Sequence, residues 1–98
     1  MRLALLLSSG VESQDCHTVL RLAEAILAGG NQVSIFLMAD GVYLAPSIAG
    51  LSDRGARVVW CSHNAQQRGL SPVQGVEEGS QFDWASMVAE ADRVVSFG

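Results

Sequence analysis

Hydrophobic and polar positions along this chain alternate between two patterns. Short, nearly continuous apolar runs are separated by longer stretches whose apolar residues recur three and four apart. Arg2 to Leu7 is a run of the first kind, closed by Ser8-Ser9-Gly10, and predicts a buried strand followed by a turn. From Ser13 to Ala28 the pattern becomes helical. Cys16, Val19, Leu20, Ala23, Ile26 and Leu27 share one face, with His17, Arg21 and Glu24 on the other. Gly29-Gly30 reads as the stop of that helix rather than as a phosphate loop.

A second strand is expected over residues 32–38, with Val33, Ile35, Phe36 and Leu37, running into a loop at Ala39-Asp40-Gly41-Val42. Tyr43 to Gly55 holds a short helix at best, with Pro46 tolerated in its first turn. Val58-Val59-Trp60, after Arg57, predicts a third buried strand over residues 57–60, followed directly by Cys61. Ser62 can cap a short helix that reaches Arg68 and ends at Gly69. Leu70 to Gly79, with its proline, glycines and paired glutamates, reads as a mobile surface loop. Ser80 and Asp83 are spaced as a capping box for a helix near residues 82–91, with Trp84, Met87, Val88 and Ala91 on one face. Arg93 to Phe97 is the last strand.

Strands alternating with helices predict an α/β fold: a three-layer sandwich in which helices flank a mainly parallel sheet, formed by residues 1–98 as a single domain. In such sheets the functional crevice lies at the carboxyl ends of the strands. Three segments reach that edge: Ser8 to Glu12, Ala39 to Tyr43, and Cys61 onward.

Composition narrows the function classes. An apolar fraction of 49% is high for 98 residues and suggests burial against another subunit. Ten acidic residues against six basic ones, all arginine, give a formal charge of -4 with no basic cluster, so direct nucleic-acid binding is not expected. The apolar run Leu3 to Leu7 is too short to span a bilayer and lacks a signal-peptide cleavage pattern, so no membrane role and a cytoplasmic location are expected. The absence of lysine excludes a G-K-[ST] element, and no G-x-G-x-x-G follows the first strand. The two cysteines make neither a disulfide scaffold nor a zinc spacing, so no cofactor and no metal are expected.

Cys61 is the only strong nucleophile at the crevice edge. At the end of a strand and the start of a helix, backbone N–H groups and the helix dipole favour thiolate over thiol. A buried structural cysteine is the alternative, as free cysteine is among the most buried residue types. His63 lies two positions on and points to a different face, which makes it a poor base and a surface residue. Cys16, on an apolar stripe, is a packing residue. Asp40 is a general base or, more in keeping with an aspartate before glycine, a hydrogen-bond partner of its own turn. Arg68 complements the carboxyl end of the short helix.

Together these stretches resemble the DsrE/DsrF/TusD-like family of sulfur-relay proteins. The likeness spans nearly the whole chain. It rests on Ala23 to Val33, on Phe36 to Tyr43 with its D-G-V-Y loop, on Cys61 followed by Arg68-Gly69 as C-x(6)-R-G, and on Ala89 to Phe97 with A-D-R-V-V-x-F. Two stretches depart from it: the segment from Tyr43 to the third strand is short, and Ser62-His63-Asn64 is more polar than the small apolar residues expected there. The resemblance implies homo- or hetero-oligomers of three or six subunits, and a cysteine that passes sulfane sulfur between donor and acceptor proteins as a persulfide. Cys61 falls at that cysteine's place. Asp40 and Gly41 would flank the crevice, and Ser62, His63 and Arg68 would line it or meet a partner. This describes a sulfurtransferase-like carrier rather than a turnover enzyme. The alternatives are a non-catalytic assembly subunit with a buried Cys61 and, third, a small thiol-dependent enzyme acting on a metabolite.

Overall fold

The computed structural model describes every residue from Met1 to Gly98. Strands β1 (Arg2–Leu7), β2 (Gln32–Leu37), β3 (Arg57–Cys61), β4 (Glu77–Gly79) and β5 (Arg93–Phe97) form one sheet in the order β4-β3-β2-β1-β5. Every pairing is parallel. The helices are α1 (Asp15–Ala28), α2 (Ala45–Ile48), α3 (Ser62–Gln67) and α4 (Gln81–Glu90). The sandwich expected from the sequence is therefore present as a single domain.

Side-chain alternation along the strands builds two cores of unequal size. On one face Leu3, Leu5, Leu7, Val33, Ile35, Leu37, Val58 and Trp60 meet Val19 and Ala23 of α1, Ile48 of α2 and Ala65 of α3, in a cluster of 18 buried residues. The apolar stripe on α1, Cys16 included, packs here. On the other face Ala4, Phe36, Val59 and Cys61 meet Met87 of α4, a cluster of only five. The Trp84 ring lies 6.0 Å from that of Phe36 and seats α4 on this thinner side. Val88, placed by the pattern on the inner face of α4, is instead 40% exposed, because Trp84, Met87 and Ala91 suffice to cover this part of the sheet.

Two segments are more ordered than the sequence suggests. Residues 39–54 are helical throughout, as 3-10 turns Ala39–Leu44 and Ala49–Arg54 on either side of α2. The buried side chains Val42, Leu44, Ile48 and Leu51 hold this irregular segment to the main core. Of the stretch read as a surface loop, residues 70–76 are a loop and the last three form a strand. Val76 is buried, Leu70 and Val73 pack on the core, and Glu77–Gly79 is an edge strand. The carboxylates secure that strand: Arg57 Nε donates to Glu77 at 3.1 Å and Trp60 Nε1 to Glu78 at 2.8 Å. At the start of α4, Ser80 and Asp83 form the capping box that their spacing predicts.

Candidate functional site

Where adjacent parallel strands send their following helices to opposite faces, a crevice opens between them at their carboxyl ends, and open α/β sheets bind ligands there. In this sheet the divergence falls between β3 and β4. α3 turns to the side of the main core, through Ala65, and α4 to the opposite side, through Met87. Cys61 and Gly79 are the register partners at that point.

Cys61 is the last residue of β3 rather than the residue after it, and its backbone caps α3 in an extended conformation. Its side chain lies on the α4 side among Ala4, Phe36, Val59 and Met87, with Met38 and Trp84 packed against the same group. The residue is 5% exposed, so sulfur chemistry here requires a partner or a neighbouring side chain to open a path. Gly79 is required across from it. A Cβ there would run into Cγ1 of Val59 on β3 and stand 2.9 Å from Oδ2 of Asp83 on α4, so a larger residue would press β4 away from both.

The remaining candidates fall into two groups. Asp40 and Arg68 meet: Arg68 Nε and NH2 donate to Oδ1 of Asp40 at 3.1 and 2.9 Å, and NH1 donates to the Asn64 carbonyl at 3.1 Å. Asp40 thus serves as the partner of Arg68, while Arg68 satisfies a carbonyl of α3 as its position suggests. Gly41 is buried against β1, where a Cβ would lie 2.1 Å from the Leu7 carbonyl oxygen. Ser62 does not act as the cap. It is the first residue of α3, and its hydroxyl donates to Oε1 of Glu78 at 2.9 Å. His63 is exposed, as its spacing from Cys61 implies.

Three contributors went unrecognised in the sequence. Glu78 bridges Trp60 and Ser62, the residues on either side of Cys61. Asn64 Oδ1 accepts from the Ala39 N–H at 2.8 Å and joins α3 to the turn after β2. Met38 packs against the cluster that contains Cys61, and its sulfur lies 3.9 Å from Nε2 of Gln81. Only the polarity of Asn64 and Glu78 beside an apolar strand hinted at such roles.

Cys16 packs against the main core, on the opposite face of the sheet from Cys61, so the sheet itself separates the two free thiols. Burial pushes the Cys16 thiol up from the ordinary cysteine range. No group of three or more His, Cys, Asp and Glu side chains gathers to hold a metal ion. No helix is long and apolar enough to cross a membrane.

A cleft of about 300 Å³ opens at the opposite, amino edge of the sheet, lined by Arg2, Ser34, Arg57, Met87 and Glu90 among others. Its arginines are committed to Glu90 and to Glu77. It shares Ala4 and Met87 with the apolar cluster around Cys61 but does not include Cys61 itself.

Two solved structures share the architecture. The ychN protein from E. coli superposes with a TM-score of 0.81, at 23% identity over 98% of this chain and 97% of its own. A conserved protein of unknown function from Bacteroides thetaiotaomicron, BT1422, gives 0.80, at 13% identity over 98% and 94%. These likenesses show the fold. In sequence, uncharacterized protein MK0008 of Methanopyrus kandleri is 33% identical over 86% of this chain and 83% of its own length. Uncharacterized protein MJ0989 of Methanocaldococcus jannaschii is 30% identical over 86% and 88%. The model of the DsrE/DsrF-like family matches residues 1–97, and the chain belongs to that family.

Proposed function

We propose that this protein is a cytoplasmic sulfur carrier in which Cys61 takes sulfane sulfur from one protein and hands it to another as a persulfide. The observation that carries the reading is the placement of Cys61 at the carboxyl end of β3, where the chain diverges to opposite faces of the sheet. Family membership supports it.

In the loading step the Cys61 thiolate attacks the terminal sulfur of a donor persulfide, R–S–SH. The donor's S–S bond breaks as a new one forms on Cys61, and R–S⁻ leaves with the electron pair. Cys61–S–SH results, and the reverse sequence on an acceptor thiolate unloads it. Atoms and electrons balance without an added oxidant or reductant. His63 is not needed as a base, because the attacking species is the thiolate itself.

Donor and acceptor proteins are thus the partners. We also propose that the chain assembles as a homo- or hetero-oligomer of three or six subunits. Its thin α4 side and the exposure of Phe82 (78%) and Val94 (43%) support this.

One observation favours a second reading. Cys61 is buried among apolar side chains, as a structural cysteine would be in a non-catalytic assembly subunit. Intact mass after incubation with glutathione persulfide separates the two. A carrier gains one sulfur atom, about 32 Da, and an assembly subunit gains none.

A further inference from the structure

The cleft at the amino edge of the sheet follows from the residues at the start of three strands. Alternation puts Arg2, Ala4, Gln32, Ser34 and Arg57 on the α4 side, paired as Arg2–Gln32 and as Ala4–Ser34–Arg57. Further along that face, Phe36 and Val59 fill the space under Met87. Nearer the amino edge the floor is Ala4 and Ser34, whose short side chains leave a hollow of about 300 Å³ beneath the last turn of α4. Ser34 is the one polar residue in the apolar run Val33 to Leu37. Arg57 opens β3 and Cys61 ends it, so the hollow lies at the other end of that strand from the thiol.

Four side chains that donate hydrogen bonds line this hollow, and none is fully used. Arg2 meets Glu90 through one ion-pair contact of 3.5 Å, with both side chains more than half exposed. Arg57 spends Nε and Nη2 on Glu77, which leaves Nη1 free. The Ser34 hydroxyl and the Gln32 amide have no partner within the chain. Exposed ion pairs contribute little, so an incoming ligand displaces them at small cost.

We propose that this hollow binds a small organic carboxylate, independently of the chemistry at Cys61. The carboxylate meets Arg2 and the free Nη1 of Arg57, as guanidinium groups hold carboxylate oxygens in charge-assisted pairs. The Ser34 hydroxyl and the Gln32 amide supply further donors, and the apolar part of the ligand lies on Met87 and Ala91. Glu90 already presents such a group to Arg2. A carboxylate is favoured over a phosphate because the negative, carboxyl end of α4 borders the hollow and opposes a dianion more than a single charge. The volume is at the low end for ligand pockets, so the ligand is small.

The test titrates the isotope-labelled protein with benzoate, phenyl phosphate and neutral benzamide and follows backbone amide shifts by NMR. Benzoate should give saturable shifts at Ser34, Gly55 and Ala91, and benzamide should give none. Phenyl phosphate should bind about threefold more weakly than benzoate. Arg2→Gln should weaken benzoate binding about tenfold, as loss of one charge-assisted hydrogen bond does. Ser34→Leu fills the hollow without touching either ion pair and should abolish the saturable shifts. Circular dichroism checks the fold of both variants, and the exposed Arg2→Gln keeps the test decisive if Ser34→Leu does not fold. Benzoate shifts that never saturate, that survive in Ser34→Leu, that are unchanged in Arg2→Gln or that benzamide reproduces overturn the proposal. Tighter binding of phenyl phosphate than of benzoate overturns the carboxylate assignment.

Discussion

Arg68 reaches back 28 residues to place two guanidinium nitrogens on a single carboxylate oxygen of Asp40, at 3.1 and 2.9 Å. Its third nitrogen caps the Asn64 carbonyl, and the guanidinium carbon stands 6.0 Å from the centre of the Tyr43 ring. One side chain thus joins the D-G-V-Y turn to the helix that follows Cys61. Asp40 is exposed, so the charge pair itself contributes little, and the value of the latch lies in its three hydrogen bonds. Arg68→Ala should cost about 1 kcal/mol in urea unfolding. Arg68→Lys should recover only part of that, because an ammonium cannot span both acceptors as a planar fork does. A neutral Arg68→Ala would mean that the latch does not form in solution.

Gly41→Ala should be among the most damaging small substitutions. The added methyl would sit 2.1 Å from the Leu7 carbonyl oxygen, on rigid backbone that cannot yield without moving β1. A loss of about 2 kcal/mol or more is expected, measurable as a lowered urea midpoint at unchanged slope. Wild-type stability in this variant would show that the turn does not pack on β1 in this way.

Glu78→Ala should destabilise through Trp60. The tryptophan is 1% exposed, and its indole N–H has Glu78 as its partner at 2.8 Å. Leaving that donor unpaired costs about 1–3 kcal/mol. Glu78→Gln keeps an acceptor oxygen and should lose less. Urea unfolding monitored by tryptophan fluorescence separates the two variants.

The Cys16 thiol sets a pH dependence. Burial raises its pKa in the folded chain, so the unfolded chain ionises first as pH rises. Its contribution to stability is fully present at neutral pH. It is lost as pH climbs through the ordinary cysteine range, near 9.0, toward the higher folded value. Urea midpoints should therefore fall more steeply on the alkaline side for wild type than for Cys16→Ala. Parallel profiles would contradict the assignment.

Much of this architecture was legible in local pattern, and what was not depends on contacts distant in sequence. The runs at Leu3–Leu7, Val33–Leu37 and Val58–Trp60 announce strands because they are buried on both faces, and the α1 stripe announces a helix because it is buried on one. Glu77-Glu78-Gly79 gives no such signal. It is a strand because Arg57 and Trp60, on the neighbouring strand, hold its carboxylates. Cys61 could be placed at the crevice edge from Val58-Val59-Trp60 alone, but it is buried in a cluster with Ala4, Phe36 and Met87, which lie on other elements. The meeting of Asp40 with Arg68, and of Ala39 with Asn64, exists only once β2 and β3 lie side by side.

The measurement that bears most directly on the carrier reading is intact mass of wild type, Cys61→Ser and Cys16→Ser after exposure to glutathione persulfide. Wild type and Cys16→Ser should each gain one sulfur atom, about 32 Da. Cys61→Ser should gain none, because a hydroxyl is far too weak an acid to supply the nucleophile without a base. Loading that survives in Cys61→Ser and disappears in Cys16→Ser would contradict the account, and a wild type that takes no sulfur would leave the assembly subunit as the better description.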